Sequence, residues 1–248
     1  MLEQTPAVTA AKQEIVDDLL KELPSNTSIE VELPSENKLY TLEDKDMPIM
    51  LRPMTFEDEK ALVSGNKDDD PINSILQRCL TNIKVGELLP MDKLYLIMKL
   101  REISYGDDYK CLLICKDCNS ENPTTVKLSQ LNVNPVPDDF TDPTEIYLEG
   151  IKKKALVRLP RVKDEKFLNT LTKGLDQIWR FVIDIDGNTD KSIIAAVVDK
   201  LPLRDVRYLM NALKTDFGLD TMIKLQCQSC GGVSVLDLPI DANFFDVS

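Results

Sequence analysis

The sequence predicts an α+β chain, predominantly helical, made of two tandem duplicated modules that each end in a cysteine-bearing β-hairpin and are related by a pseudo-twofold axis. Three observations predict it. The segment Leu89-Pro90-Met91-Asp92-Lys93-Leu94 through Gly106 returns as Leu201-Pro202-Leu203-Arg204-Asp205-Val206 through Gly218, at a constant offset of 112 residues. The same offset sets Cys115 on Cys227 and Cys118 on Cys230, so a Cys-x-x-Cys pair closes each copy. Each copy also reads in one order: short β elements, helices with apolar faces, a strand into the cysteine turn and a return strand. Upstream, Asp58-Glu59-Lys60 answers to Asp164-Glu165-Lys166 at an offset of 106, so a small insertion separates the blocks.

Residues 1–37 read as an N-terminal helical arm and linker. Thr5 can cap the helix with Pro6 at its first position, and Pro24 ends it. Ile15, Val16, Leu19, Leu20 and Leu23 form one apolar stripe, which packs either on the chain's own body or on a neighbouring subunit. The polar stretch Ser25 to Asn37 links the helix to that body. The first module spans 38–143. It opens with a β element at Leu39–Leu42 and a second ending at Pro53. Asp70 caps and Pro71 starts a helix with Ile72, Ile75, Leu76 and Cys79 on one face. A second helix carries Leu94, Ile97, Met98 and Leu100 and ends at Gly106. A strand from Tyr109 to Ile114 enters the first cysteine turn, one from Thr124 to Leu128 leaves it, and Asn132 to Asp142 is linker. The second module, 144–248, repeats this order. Its β elements are Glu145–Leu148 and one ending at Pro160, and its last strands are Met222–Gln226 and Val233–Leu238.

Composition narrows the chemistry. The 248 residues hold 30 basic and 42 acidic side chains, a net charge of −12. Nucleic-acid and anionic-membrane binding rest on Lys and Arg neutralising phosphate, so neither partner is expected. Hydrophobic residues at 43% and charged residues at 29% suit a soluble globular chain. There is no histidine. That removes His-based hydrolase triads, HExxH metalloproteases and His-liganded catalytic zinc. No window reaches the ~20 apolar residues of a membrane span, and Met1 to Glu22 lacks the marks of a signal peptide. Synthesis in a cytosol that keeps thiols reduced is therefore expected, where paired cysteines point to metal rather than to disulfides.

Each Cys-x-x-Cys sits where a strand turns back, as in a zinc knuckle, so both thiolates can face one cation. Cys115, Cys118, Cys227 and Cys230 together supply the four thiolates of one shared, closed tetrahedral Zn2+ site. Ordinary buried thiols and metal-free remnants of a knuckle are the alternatives, and iron–sulfur ligation is a minor one. A closed site leaves no position for water or substrate, so the metal is structural and the chain is not expected to be an enzyme. Cys111 lies four residues before Cys115 on a strand, ~13 Å away at about 3.3 Å per residue, too far to ligate. Cys79 belongs to an apolar helix face, and both read as core thiols. Asp184-Ile185-Asp186-Gly187-Asn188-Thr189-Asp190 resembles the start of a calcium loop, but Thr189 and Ala195 occupy the positions that need Gly and Glu. It reads as an acidic loop between helices. Asp68-Asp69-Asp70 reads as a loop and helix cap, and Lys152-Lys153-Lys154 as a hairpin turn.

The order of these residues resembles the T-even-type bacteriophage baseplate proteins of the tail hub. An Arg-Pro-Phe-Thr-like start is matched by Arg52-Pro53-Met54-Thr55-Phe56-Glu57-Asp58-Glu59-Lys60. A Leu-x-x-x-Asp-x-x-Tyr-Leu helix running into a Gly and a cysteine knuckle is matched by Leu88 to Cys118. A degenerate copy with a terminal Phe-Phe is matched by Cys227 to Phe245. Met54 stands where the pattern has an aromatic residue, and the first knuckle lacks the Gly that usually follows it. The resemblance covers about residues 40–248. It implies a non-enzymatic virion or tail-assembly protein of the contractile-tail baseplate, made in the host bacterial cytoplasm. Its partners would be other baseplate hub, wedge and tail tube proteins, with several copies per baseplate. The competing class is a zinc-ribbon adaptor for transcription or nucleic-acid complexes, which would need basic or aromatic residues around the knuckles. A peptidoglycan hydrolase with paired carboxylates is a third, but nothing selects a pair among the acids.

Overall fold

Among the described residues, antiparallel pairing makes five small sheets, tied together by short helices. The structure, a computed structural model, describes residues 6–21, 28–44, 46–64, 70–168, 175–240 and 242–245. Helix α1 (Pro6–Leu20) precedes β1 (Ile29–Glu30) and β2 (Met50–Leu51); α2 (Phe56–Ser64) and α3 (Pro71–Cys79) lead to β3 (Leu80–Thr81), completing a sheet of order β1-β2-β3. Helix α4 (Pro90–Tyr105) feeds the hairpin β4 (Asp108–Ile114) and β5 (Glu121–Lys127). After β6 (Val133–Asn134), a second three-stranded sheet forms from β7 (Thr144–Leu148), β8 (Lys153–Val157) and β9 (Val182–Ile185), with α5 (Glu165–Leu168) between the last two. Helices α6 (Lys191–Val198) and α7 (Leu203–Ala212) follow. Then come β10 (Gly218–Leu219), which pairs with β6, and the hairpin β11 (Met222–Gln226) and β12 (Val233–Asp237).

The helix ends form where local chemistry dictates. Asp70 adopts an extended cap conformation and its carboxylate accepts from the N–H groups of Ile72 (2.9 Å) and Asn73 (3.4 Å), with Pro71 at the first helical position. Gly106 ends α4 at φ 95°, a left-handed value that costs glycine little. Asp190 caps α6 in the same way as Asp70 caps α3. Asp184 lies in β9, so the acidic loop joins a strand to a helix and not two helices. Thr5, Leu23, Pro24 and Asp68-Asp69 lie outside the described residues.

One expectation about the fold class is corrected. The chain is not predominantly helical: among the described residues twelve strands in five small sheets accompany the helices. The missed strands are two to four residues long and paired with distant partners, so no run of alternating residues marks them. The expected duplication into two modules about a pseudo-twofold axis is not established by the order of elements, which do not match one for one. Among the described residues a 3-10 turn at Leu175–Phe181 follows α5 where α3 follows α2, and a 3-10 turn at Val85–Glu87 precedes α4 where α6 precedes α7. Neither hairpin is terminal. β5 runs on into Leu128–Gln130 and β6, and β12 is followed by a turn at Ala242–Phe245. Even the matched helices slip. The third residue of each is a fully buried aspartate, Asp92 and Asp205, whereas the offset of 112 sets Asp92 on Arg204. The two segments share caps and turn bonds.

One such demand is a latch after β2 and β8. Arg52 forks onto Asp58 at 2.7 and 3.3 Å and donates to the carbonyl of Pro53; Arg158 forks onto Asp164 at 2.7 and 3.2 Å and donates to that of Leu159. Asp58 also accepts from Thr55 N–H and Oγ1 (both 2.9 Å) and from Arg78 Nε (2.7 Å). Burial alone would raise the carboxyl, but the bonds from Arg52, the Thr55 backbone and Arg78 outweigh it and hold Asp58 well below the usual carboxylate range.

The largest core cluster gathers Leu33, Ile49, Leu76, Leu88 and Leu96 with Leu238, Phe244 and Phe245 from the far end of the chain. The stretch expected to link arm and body thus supplies core residues. Rings of Tyr109 and Phe244 meet edge-on at 4.9 Å, and Tyr109 Oη donates to the carbonyl of Pro239 at 2.8 Å. A second cluster, with Leu148, Phe181, Val182, Ile194 and Leu209, covers the sheet β7-β8-β9. By contrast Ile15 and Leu19 of α1 are 61% and 76% exposed.

The Asp58→Ala change leaves two guanidinium groups and a backbone N–H without their acceptor. It should cost about 3 kcal/mol in urea unfolding followed by circular dichroism. Because the folded carboxyl sits low, that contribution should be complete above pH ~4 and fade as pH falls through the lowered range. A cost below ~0.5 kcal/mol at pH 7 would remove the latch from this account.

Candidate metal centre

The two hairpins present their turns to one another. In the first, β4 pairs with β5 down to Ile114↔Glu121; in the second, β11 pairs with β12 up to Gln226↔Val233. Both turns use the same bonds. Cys115 N–H donates to the Ser120 carbonyl (3.0 Å) and Cys227 N–H to that of Gly232 (2.9 Å). The carbonyl of Cys115 accepts from Asn119 N–H (3.0 Å) and that of Cys227 from Gly231 N–H (2.9 Å). Each turn passes through the left-handed region just after its second cysteine, at Asn119 (φ 55°) and Gly231 (φ 72°). Asn and Gly are the residues that tolerate this conformation, so Asn119 does without the Gly of the second turn.

Three contacts set the turns at this distance. Leu113, Leu225 and Leu236 form a small buried cluster between the hairpins. Lys116 Nζ donates to the carbonyl of Val235 at 2.8 Å. Asn122, only 1% exposed, donates from Nδ2 to the Ser120 carbonyl (2.9 Å) and accepts at Oδ1 from Gln228 N–H (3.0 Å), bridging one turn to the other. At Gly232 a Cβ would lie 2.5 Å from Asp117 Oδ2, so any larger residue there would require the Asp117 side chain to move.

The result is a cluster of four sulfurs, Cys115, Cys118, Cys227 and Cys230, all within 4.8 Å of one another. Two of its edges cross between the hairpins: Cys115 to Cys230 at 3.8 Å and Cys118 to Cys227 at 3.7 Å. A disulfide needs about 2.0 Å, and all six cysteines are free. A tetrahedron of metal–sulfur bonds of about 2.3 Å has edges of about 3.8 Å. The donor set and its spacing therefore suit one tetrahedral, thiophilic cation.

The electrostatics favour thiolates unevenly. Ser120 Oγ lies 3.1 Å from the sulfurs of both Cys118 and Cys227. Its hydrogen bond, with help from backbone N–H groups including that of Ser229, draws Cys227 down to about 5, and Ser120 lowers Cys118 as well. For Cys230 the N–H of Gly232 favours the thiolate, but the neighbouring sulfurs and burial outweigh it and push the thiol up to about 12. Sulfurs this close cannot all ionise readily unless a cation sits among them.

Cys79 lies in the largest core, its thiol pushed up to about 11 by burial, and Cys111 packs beside the leucine cluster, so neither joins the four. Among the described residues no second group of three or more possible ligands comes together, at the Asp184–Asp190 loop or elsewhere. Ser120, Asn122 and the Asp117–Gly232 approach were not foreseen. A polar residue at an inward strand position, Asn122 opposite Leu113, is the one signal the sequence carried for them.

A family model described as T4 bacteriophage base plate protein matches residues 12–246. Comparison with curated proteins and with solved structures gives no match.

The Asn122→Ala change removes the bridge and strands the Gln228 N–H, while the Ser120 carbonyl keeps its bond from Cys115 N–H. It should lower stability by about 2 kcal/mol in urea titration. An unchanged midpoint would mean that the sulfurs and leucines alone hold the turns.

Proposed function

The chain belongs to the T4 bacteriophage base plate protein family, and we propose that it works in the hub region of a contractile-tail baseplate as a structural or assembly component stabilised by one zinc ion. The observation that carries this reading is the extent of the family match, residues 12–246, which includes both hairpins. The zinc reading is carried by four thiols at tetrahedral spacing. Cys115, Cys118, Cys227 and Cys230 would hold it, and a bound Zn2+ would supply a cross-link between hairpins and no open coordination position.

In this reading the chain's own residues do the positioning. Leu113, Leu225 and Leu236 bring the hairpins together, and Asn122 aligns the turns. The partners are other baseplate hub, wedge and tail tube proteins, in several copies, within a tail made in the bacterial host. No helix among the described residues is long and apolar enough to cross a membrane. Against a nucleic-acid adaptor stand the −12 charge and turns whose Lys116 is already engaged, by the Val235 carbonyl. The exposed apolar face of α1 is the element we assign to docking on a baseplate partner, since a short helix of this kind is marginal unless covered.

Elemental analysis of protein purified without added metal should give one zinc per chain, and Cys227→Ser should abolish it. A ratio near zero or two ends the shared-site reading. Deleting residues 1–24 should leave the thermal transition intact while preventing incorporation into baseplates. Normal incorporation, or loss of the transition, would show that the arm has no docking role.

A further inference from the structure

We propose that the groove between β1 and β6 is the docking site for an extended, basic segment of another protein, which adds as a strand to the open edge of β1. The sheet order β1-β2-β3 leaves one edge of β1 unpaired among the described residues. The pairing Ile29↔Leu51 and the bond from Val31 N–H to the Ile49 carbonyl (3.0 Å) use the groups facing β2. Alternation along an antiparallel strand then turns the N–H and C=O of Glu30 and Glu32 the other way, toward the groove.

The groove has the shape of a wedge. At its closed end Val136 N–H donates to the Pro34 carbonyl at 3.0 Å, so the chain after β6 already touches the chain after β1. Away from that point the two segments part around a space of about 470 Å³, with Tyr95 and Lys99 of α4 also lining it. The far side of β6 is taken by β10. Exposed Ile29 and Val133 flank the space, and Val31 and Leu33 are buried beneath.

Charge selects the occupant. Glu30 and Glu32 project from the same face of the strand, both are exposed, and neither has an ion pair among the described residues. Lys99 is already held by Glu102 at 2.8 Å and Glu36 by Lys38 at 2.5 Å. A strand added here would meet carboxylates on one face and Ile29 with Val133 on the other. It should therefore alternate Lys or Arg with β-branched apolar residues, with main-chain bonds supplying affinity and the alternation supplying specificity. Helix α1 of this or a second copy is the poorer occupant, because its Glu14, Asp17 and Asp18 would face the same carboxylates. The proposal depends on neither the zinc nor the baseplate reading.

The test uses the full chain and two eight-residue peptides, one alternating Lys with Val and one alternating Glu with Val, followed by fluorescence anisotropy and amide hydrogen exchange. The Lys–Val peptide should bind and slow exchange at Glu30 and Glu32, and the Glu–Val peptide should not. The Glu30→Lys, Glu32→Lys double variant should weaken binding about tenfold, as for losing two exposed charge pairs. The charge-matched Glu43→Lys, Glu59→Lys variant, on exposed positions elsewhere, should bind like the parent. Absence of binding, equal loss in both variants, or protection confined to α1 would each overturn the proposal.

Discussion

A two-stranded hairpin is marginal in water, and this chain relies on two of them. β4-β5 and β11-β12 meet through three leucines, an asparagine bridge and four sulfurs whose crossing pairs stand 3.7 and 3.8 Å apart. Much of the remaining architecture follows from bringing those tips together. The second hairpin must return from a separately cored sheet to lie beside the first. The chain after it then folds back over α4, where Phe244 and Phe245 join the largest core. Zinc at the centre would convert four crowded thiols, which resist common ionisation, into a cross-link.

The return path is held by an arginine that has no carboxylate partner among the described residues. Arg101 is 4% exposed, its Nε and Nη1 have no hydrogen-bond partner among those residues, and its guanidinium lies 5.2 to 5.7 Å from the rings of Tyr105, Tyr109 and Phe244. Burial lowers its pKa, and stacking on three rings offsets part of that cost, since Arg favours aromatic faces when desolvated. The terminal Phe-Phe, which could have been an external contact, is thereby an internal one.

Buried aspartates do comparable work at the helix starts, though unequally. Asp92 accepts from Ser35 N–H at 3.2 Å and from the Tyr40 hydroxyl, so both oxygens are used. Asp205 accepts from Gly150 N–H at 3.0 Å, but its Oδ2 has no partner among the described residues and lies 2.6 Å from where a Cβ on Gly150 would sit. The two sites share a device and differ in how well it is completed. This difference is invisible in the sequence register that aligned the helices.

What the sequence determined by itself is what short-range chemistry determines. Asp70-Pro71 starts a helix, Gly106 ends one, the β-runs on either side of each Cys-x-x-Cys make hairpins, and Asn119 or Gly231 completes the turn. The four sulfurs were legible as a set because their residue type restricts what they can do in a reduced compartment. Only the tertiary structure decided the rest. Strands of two residues at β1, β3, β6 and β10 carry no periodic signal, Val31 and Leu33 read as linker, and Asn122 read as an ordinary strand residue. Cys118 and Cys227 meet across 109 residues of chain. Such a closure is favoured by the contacts made once it has formed, and these belong to no local pattern.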